Sequence, residues 1–204
     1  VVATNIVGNG FSFYGGGTSV VMNACYAVTC TQAGFDFNQL NYSTLIGCAA
    51  EACGIGYYLH NNCNNVALIG CGAEDQFNRS ANYLGVDFQI EGGVGNSIIS
   101  GYSRNNAEAG VKLLGGGKPV IISYRQIGTA KYSIVTDANV SGAIIQGESV
   151  SSPTNYVSGT VKNFADDTKV IHNTGTETSA GDKTFTGKNT FSKPINGSLS
   201  TQEA

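Results

Sequence analysis

The chain has 204 residues, which is long enough for one or two domains with a buried core. Eleven basic and 14 acidic residues give a net charge of −3, which argues against a nucleic-acid binder because phosphate contacts need a basic excess. No apolar run approaches the ~20 residues of a membrane span, so no membrane partner is expected.

Composition divides the chain into three parts. Residues 1–17 form a glycine-rich entry segment, which we expect to continue an upstream element. Residues 18–163 alternate short apolar runs with Gly, Asn and Ser, without a helical period. In residues 164–204 the aliphatic runs stop and Thr, Gly and Lys dominate, which places the strongest boundary near 163–168.

An internal repeat of about 23 residues dominates residues 18–163. Its anchor positions are Cys25, Cys48, Cys71, Gly101, Tyr124 and Gly147. The intervals are 23 residues, apart from 30 between Cys71 and Gly101. Most anchors follow a short apolar run such as VALIG or NSIIS, which is typical of a strand.

A second strand is predicted about ten residues after each anchor. Its first apolar positions are Phe35, Tyr57, Val86, Val111 and Tyr132, and each segment alternates apolar and polar residues. A 23-residue unit cannot bury its apolar face alone, but stacked units can. The repeat therefore predicts an all-β, right-handed parallel β-helix of about six coils over residues 18–163. Glycine and asparagine suit its corners because both tolerate positive φ.

All six cysteines lie between residues 25 and 71. The spacing of Cys25, Cys30, Cys48 and Cys53 is compatible with a zinc site, and disulfides are an alternative. We favour free thiols packed as an interior ladder, because the repeat continues where Gly101 replaces cysteine and because parallel strands hold equivalent Cβ atoms too far apart for a bridge. Free thiols fit synthesis in a reducing compartment. No metal and no cofactor are expected.

The seven extra residues before Gly101 predict a protruding loop at residues 75–84. Loops on one face of a solenoid commonly carry binding residues, so Arg79 and Tyr83 are candidate ligand contacts. A solvated insertion without a role is the alternative.

Outward positions of the first strand include Glu51 and Glu74, one coil apart, followed by Arg104. Two stacked carboxylates can supply a general acid and a base or nucleophile, with His60 as a candidate general base. The alternatives are that both carboxylates are solvated, that Glu74 pairs with Arg104, and that His60 is a surface residue in a turn.

Outward positions of the second strand are predicted to be Asp36, Tyr58, Asp87 and Lys112, followed by Asn38, His60 and Gln89. An aromatic ring beside amides and carboxylates suits a sugar, because the ring covers the apolar face while the polar groups bind hydroxyls. We assign substrate binding to Asp36, Tyr58, Asp87, Gln89 and Arg104, together with the two loop residues.

The runs NACYAVTCTQAGFDF and STLIGCAAEACGIGYYLHNNCNNVALIGCGAED resemble the pectate-lyase-like β-helix of bacteriophage tail fibres and tailspikes. The segment VIHNTGTETSAGDKTFTGKNTFSKPI (170–195) is similar to a short repeat of phage tail fibre stems. The resemblance implies a homotrimer with a C-terminal trimeric β stem at 164–204, made in the bacterial cytoplasm and carried on the virion tail among other tail proteins. A disordered linker is the alternative to the stem, but Phe185, Phe191 and Ile195 favour burial on a threefold axis.

Two functions follow from the resemblance. The first is a fibre segment that binds host cell-surface polysaccharide during adsorption. The second is a depolymerase, a hydrolase or lyase, that cleaves capsule or exopolysaccharide. The sequence favours the first, because it shows no compelling acid and base constellation.

Overall fold

Short strands follow one another along the chain in sets of three. The computed structural model describes residues 1–115, 118–137, 139–146, 149–150, 155–157, 160–163 and 170–172, and no helix occurs in these ranges. The first three coils comprise β1 (Val2–Thr4), β2 (Phe11–Phe13), β3 (Val21–Asn23), β4 (Tyr26–Val28), β5 (Ala33–Asn38), β6 (Asn41–Ile46), β7 (Ala49–Glu51), β8 (Ile55–His60) and β9 (Asn64–Ile69).

The fourth coil differs by a hairpin inserted after its first strand. It comprises β10 (Gly72–Glu74), the hairpin strands β11 (Asn78–Ser80) and β12 (Tyr83–Leu84), then β13 (Val86–Glu91) and β14 (Val94–Ile99). The remaining strands are β15 (Tyr102–Arg104), β16 (Ala109–Leu114), β17 (Lys118–Ile122), β18 (Arg125–Ile127), β19 (Tyr132–Thr136), β20 (Ser141–Gln146), β21 (Ser149–Val150), β22 (Asn155–Val157), β23 (Thr160–Asn163) and β24 (Val170–His172).

Equivalent strands of successive coils pair in parallel and form three sheets. Sheet A contains β1, β4, β7, β10, β15, β18 and β21; sheet B contains β2, β5, β8, β13, β16, β19, β22 and β24; sheet C contains β3, β6, β9, β14, β17, β20 and β23. The expected all-β parallel solenoid of the right-handed type with about six coils is confirmed. Six coils are complete between Val2 and Gln146, and strands of a seventh follow.

The anchor residues stack as predicted. Tyr26, Ala49, Gly72, Tyr102 and Arg125, which directly follow five of the anchors, are paired in register in sheet A. The six cysteines are free and buried, which confirms the interior thiols. The last step differs, because Val150 pairs with Gln126 instead of Ile127.

An aromatic ladder fills the interior beside sheet B. Phe11, Phe35, Tyr57 and Phe88 stack with ring centroids 4.8–5.0 Å apart and nearly parallel planes. The buried hydroxyl of Tyr57 donates to the carbonyl of Gly72 at 3.1 Å, so its polar atom is satisfied.

The predicted register of the second strand is wrong in two coils. Phe88, not Val86, pairs with Tyr57, and Ile134, not Tyr132, pairs with Val111. Every strand from β5 to β19 in sheet B begins two residues before its ladder position, in the register Ala33, Ile55, Val86, Ala109 and Tyr132. The sequence therefore offers two apolar or aromatic candidates for the ladder, and alternation alone does not choose between them.

The corner between sheets A and B is packed too tightly for most side chains. A Cβ on Gly34 would lie 2.9 Å from the Cβ of Ala50, and one on Gly56 would lie 2.9 Å from the Cβ of Ala73. Asp87 occupies the equivalent position in the next coil. Because this position faces the interior, the side chain of Asp87 is fully buried, and the predicted outward position of Asp87 is wrong.

Asp87 lies in a polar pocket of the interior. Asn106 donates through Nδ2 to Oδ2 of Asp87 at 2.8 Å. Ser103 and Asn106 both lower the pKa of Asp87, but by less than burial raises it. Burial raises the pKa of the Asp87 carboxyl well above its ordinary value, because removal from water penalises the charged form.

Asp87→Asn should therefore remove a pH dependence of stability. The folded protein retains a proton that the unfolded chain releases above about pH 4, so the parent loses up to about 1.4 kcal/mol per pH unit as the pH rises above that value. We expect the variant to be more stable than the parent at neutral pH and equal to it near pH 4, as measured by urea denaturation across this range. Glu108→Gln, which removes a partly exposed carboxylate paired with Lys131, is the control. A pH profile of Asp87→Asn parallel to that of the parent would contradict the assignment.

The corner after the first strand of each of the six complete coils contains a left-handed backbone residue, whatever its side chain. After the first strand of successive coils, positive φ occurs at Asn5, Thr29, Ala52, Asp75, Asn105 and Gly128. Only some of these are Gly or Asn, and left-handed φ costs other residues about 1–2 kcal/mol. Parallel stacking imposes the conformation, since each turn forms hydrogen bonds with the next, as from Thr29 N to Glu51 O and from Ala52 N to Glu74 O.

Ala52→Gly should relieve this strain and raise the free energy of unfolding by about 1 kcal/mol. Chemical denaturation measures the change. Ala50→Gly, two residues earlier in a regular strand, should instead lower stability, because it adds backbone freedom to the unfolded state and removes a buried methyl group. Equal effects of the two substitutions would rule out the strain.

The solenoid begins earlier than residue 18. Within the segment predicted as an entry, β1 pairs with β4 and β2 pairs with β5. At the other end, β24 pairs with β22 and extends sheet B to residues 170–172. The rest of the predicted stem, residues 164–169 and 173–204, lies outside the described residues.

Candidate functional site

The outward face of sheet B concentrates polar and aromatic side chains. We call Asp36, Tyr58, His60, Gln89 and Glu91 the sheet B strip. Asp36, Tyr58 and Gln89 are paired in register, and Asn38 precedes His60 in a second row. These residues alternate with the core residues Phe35, Phe37, Leu59, Phe88 and Ile90, which is why they face outward.

Asp36 is the hub of the lower part of this strip. Although it faces outward, Asp36 is only 3% exposed, because neighbouring side chains cover it. One carboxylate oxygen accepts hydrogen bonds from the Asn9 amide and the Tyr14 hydroxyl, and the other contacts Nε2 of His60 at 2.7 Å. The hydrogen bond to Asp36 raises the pKa of Tyr14, because it stabilises the protonated phenol.

Both ring nitrogens of His60 have partners. Nδ1 lies 3.1 Å from the Asn61 amide nitrogen, which can only donate, so Nδ1 accepts and Nε2 carries the hydrogen that is donated to Asp36. The Tyr58 ring stacks on the imidazole with centroids 4.2 Å apart. These contacts fix the orientation of His60 and leave neither nitrogen free to abstract a proton from a ligand.

The upper part of the strip carries a second amide and carboxylate pair. Gln89 donates through Nε2 to Glu91 at 2.6 Å, and Lys112 follows Gln89 in register. Burial raises the pKa of Tyr58, and the nearby Glu91 carboxylate raises it further, so Tyr58 presents a neutral hydroxyl. Tyr58, His60 and Glu91 are partly exposed, whereas Asp36 and Gln89 are buried beside them. The strip therefore offers a ring face, a phenol and a carboxylate to a ligand, held in place by the two buried residues.

The inserted hairpin lies beside this strip. Tyr83 packs over the corner at Gly54, where a Cβ on the glycine would lie 2.6 Å from that of Tyr83. Burial raises the pKa of Tyr83, and the Asp36 carboxylate raises it further. Arg79 donates to the carbonyl of Ala52 at 3.1 Å and lies over the ring of Phe77, which is 49% exposed.

The two glutamates proposed as a catalytic pair lie on sheet A. Glu51 and Glu74 are paired in register, but each has another partner. Tyr26 donates its hydroxyl to Glu51, which raises the pKa of Tyr26 to about 12, and Arg104 contacts Glu74 at 3.4 Å. No hydrogen bond or ion pair within the described residues joins either glutamate to His60, which lies on sheet B.

The structure thus brings together four of the residues predicted from sequence, Asp36, Tyr58, His60 and Gln89, while Tyr83 lies on the neighbouring hairpin at the corner of Gly54. Glu51, Glu74 and Arg104 form a separate group on sheet A, Asp87 is interior, and Arg79 is on the hairpin. Sequence reasoning missed Asn9, Tyr14, Asn61 and Glu91. The motif FSF at 11–13 lies one coil before FDF at 35–37 and pairs with it in register. This similarity was the sequence signal for an earlier coil, which contains Asn9 and Tyr14.

Asp36→Ala should destabilise the protein by about 2–3 kcal/mol, because partly buried donors on Asn9, Tyr14 and His60 would lose their acceptor. Urea denaturation measures the loss. Glu74→Ala is the matched control, since its ion pair with Arg104 is exposed, and it should change stability by no more than about 0.5 kcal/mol. An Asp36→Ala variant as stable as the control would show that the cluster does not hold the strip together.

Comparison with protein-family models, curated proteins and solved structures finds no match to this chain. Over the part of the chain that the structure describes, no group of three or more His, Cys, Asp or Glu residues is arranged to hold a metal ion. Nor does any helix in those ranges have the length and apolar character needed to cross a membrane.

Proposed function

We propose that the protein is a segment of a bacteriophage tail fibre or tailspike that binds host cell-surface polysaccharide through the sheet B strip. The observation that carries the proposal is the Tyr58 and His60 stack beside the buried Asp36 hub. The parallel solenoid and the resemblance over roughly residues 18–160 support the phage setting. In that setting the chain is made in the bacterial cytoplasm, becomes part of the virion tail and contacts other tail proteins.

The strip suits a sugar chain in both shape and chemistry. Its rows run along the solenoid axis, with equivalent residues about 4.8 Å apart, so an extended glycan lying along the axis would meet similar groups in several coils. An aromatic face covers the apolar side of a sugar ring, and the partly exposed Tyr58 hydroxyl and Glu91 carboxylate can bind its hydroxyls. Because His60 holds the Tyr58 ring and Gln89 holds Glu91, little side-chain entropy is lost on binding.

Charge favours a neutral glycan over an acidic one. The strip carries the carboxylates of Asp36 and Glu91, while Lys112 supplies one ammonium group beside them. A uronic acid would meet like charge next to these carboxylates, which disfavours binding. The proposed ligand is therefore a neutral or amino-sugar polysaccharide.

Cleavage is the second candidate function, and one observation favours it. Glu51 and Glu74 are paired in neighbouring strands, at a spacing close to the ~5 Å between carboxyl groups of retaining glycosidases. Tyr26 and Arg104 already engage the two carboxylates, however, and the aromatic strip lies on another sheet. The geometry therefore supports binding better than cleavage.

Tyr58→Ala should weaken binding of a neutral surface polysaccharide about tenfold, because the loss of one stacking face costs about 1–1.5 kcal/mol. Isothermal titration calorimetry with purified polysaccharide measures the affinity. Tyr102→Ala, on the outward face of sheet A, is the control and should bind like the parent. Equal affinities for Tyr58→Ala and the parent, or stronger binding of an acidic polysaccharide, would contradict the assignment of the strip.

The same preparations separate binding from cleavage. Incubation with polysaccharide should leave its length unchanged if the protein only binds. Oligosaccharide products that disappear in Glu74→Gln, with folding retained, would establish the second candidate instead.

A further inference from the structure

Five of the interior thiols form two columns along the solenoid axis. Cys25, Cys48 and Cys71 occupy equivalent positions in three successive coils, and we call them the long thiol column. The nitrogen of the residue after Cys48 donates to the Cys25 carbonyl, and the nitrogen of the residue after Cys71 donates to the Cys48 carbonyl, each at 2.9 Å. All three side chains are buried.

Cys30 and Cys53 form the short thiol column. Each lies two residues after a strand of sheet A, β4 in one coil and β7 in the next, and these strands are paired in register. Both thiols are fully buried. A hydrogen bond from Cys71 lowers the pKa of Cys48, and one from Cys53 lowers the pKa of Cys30. In both columns, therefore, sulfurs from successive coils converge in the interior.

The spacing within a column matches a metal ion held between two sulfurs. Equivalent positions of neighbouring coils lie about 4.8 Å apart. A metal–sulfur bond is about 2.3 Å long, so two sulfurs on opposite sides of one ion lie about 4.6 Å apart. A disulfide, with its sulfurs only about 2.05 Å apart, would need the two coils to approach much more closely.

The number and type of ligands identify the ion. A structural zinc site takes four ligands, and within the described ranges no three or more His, Cys, Asp or Glu residues are arranged to hold a metal. Two sulfurs in line instead suit a soft monovalent ion, because thiol ligands select copper(I) and such an ion accepts two ligands on opposite sides. We propose that each thiol column binds one soft monovalent metal ion, copper(I) or silver(I), between sulfurs of successive coils. This inference does not depend on the sheet B strip or its ligand.

Binding of a monovalent ion leaves the interior without net charge. One thiol of a neighbouring pair releases its proton to water, and its thiolate and the second, protonated thiol bind the ion without electron transfer. The negative charge of the thiolate balances the positive charge of the ion, which avoids the cost of a buried net charge. A divalent ion on the same thiolate and thiol would leave a positive charge in the core.

The test uses silver(I) and the full chain. The protein is unfolded in urea, refolded with excess silver(I) under argon, dialysed against a small competing thiol and analysed for bound silver by atomic emission. The competitor removes silver from a single protein thiol, whereas two sulfurs fixed on either side of the ion act as a chelate and keep it. The parent should therefore retain two silver ions per chain, one in each column.

Substitution of the middle thiol tests the long column. Cys48→Ala leaves Cys25 and Cys71 two coils, or about 9.6 Å, apart, which is too far for one ion to join their sulfurs. This variant should lose one of the two silver ions. Cys53→Ala should lose the other, and the double variant should retain none.

Cys63→Ala is the matched control. Cys63 is buried, but Leu40 occupies the equivalent position one coil earlier and no cysteine follows residue 71, so Cys63 has no thiol neighbour in its row. This variant should retain both silver ions. Cys48→Ser and Cys63→Ser repeat the comparison with less change in side-chain volume, and circular dichroism checks that each variant is folded.

Two outcomes would overturn the proposal. One is a folded parent that retains fewer than two silver ions, which would show that the thiols of at least one column only pack in the core. The other is a folded Cys48→Ala variant that retains as much silver as Cys63→Ala, which would place the ion outside the long thiol column.

Discussion

Parallel hydrogen bonding between coils is the constraint on which the molecule depends. Backbone nitrogens of Ala49, Gly72, Tyr102 and Arg125 donate to carbonyls one coil below at 2.9–3.0 Å, and the same pattern continues around each coil. Since side chains alternate between the two faces of a strand, a slip by one residue would exchange interior and surface. The aromatic ladder, the thiols and the sheet B strip therefore share one register.

The same constraint explains what the sequence could and could not predict. The 23-residue spacing of Cys25, Cys48 and Cys71 predicts stacked coils because hydrogen-bonded coils must repeat in length, and small buried residues mark one edge of the interior. The alternation in GFDFN and GYYLH likewise predicts the outward positions of Asp36, Tyr58 and His60. Regular strands far from corners were predictable for this reason.

The sequence-based prediction fails at the corners, because buried and exposed residues no longer alternate there. Ala33, Gly34 and Phe35 are all buried in succession, so Asp87 in the equivalent of Gly34 enters the interior although its sequence neighbours suggest a surface position. Left-handed φ at Thr29 and Ala52 has no residue signal, because stacking and not propensity selects it. The covering of Asp36 by Asn9 and Tyr14 depends on a coil whose short repeat was too weak to recognise alone.

The three faces of the solenoid differ in chemistry although they arise from the same backbone. Sheet A carries ionic and phenol–carboxylate pairs, sheet B carries the polar and aromatic strip, and sheet C carries an outward row of isoleucines, Ile46, Ile69, Ile99 and Ile122. Such separation is possible because outward residues do not affect the interior packing, so each row can vary while the core ladder is kept.

The hairpin of the fourth coil shows how this architecture accommodates extra chain. Between Phe77, whose nitrogen still donates to the carbonyl of Cys53, and Gly85, which donates to Gly54, the backbone leaves the solenoid and returns. The strands on either side, β10 and β13, nevertheless pair with β7 and β8 in register. The number of residues inserted at this corner therefore does not alter the pairing of the strands on either side. In related proteins a longer or differently shaped hairpin at this corner could therefore change what is recognised beside the strip, while the fold of the solenoid stays the same.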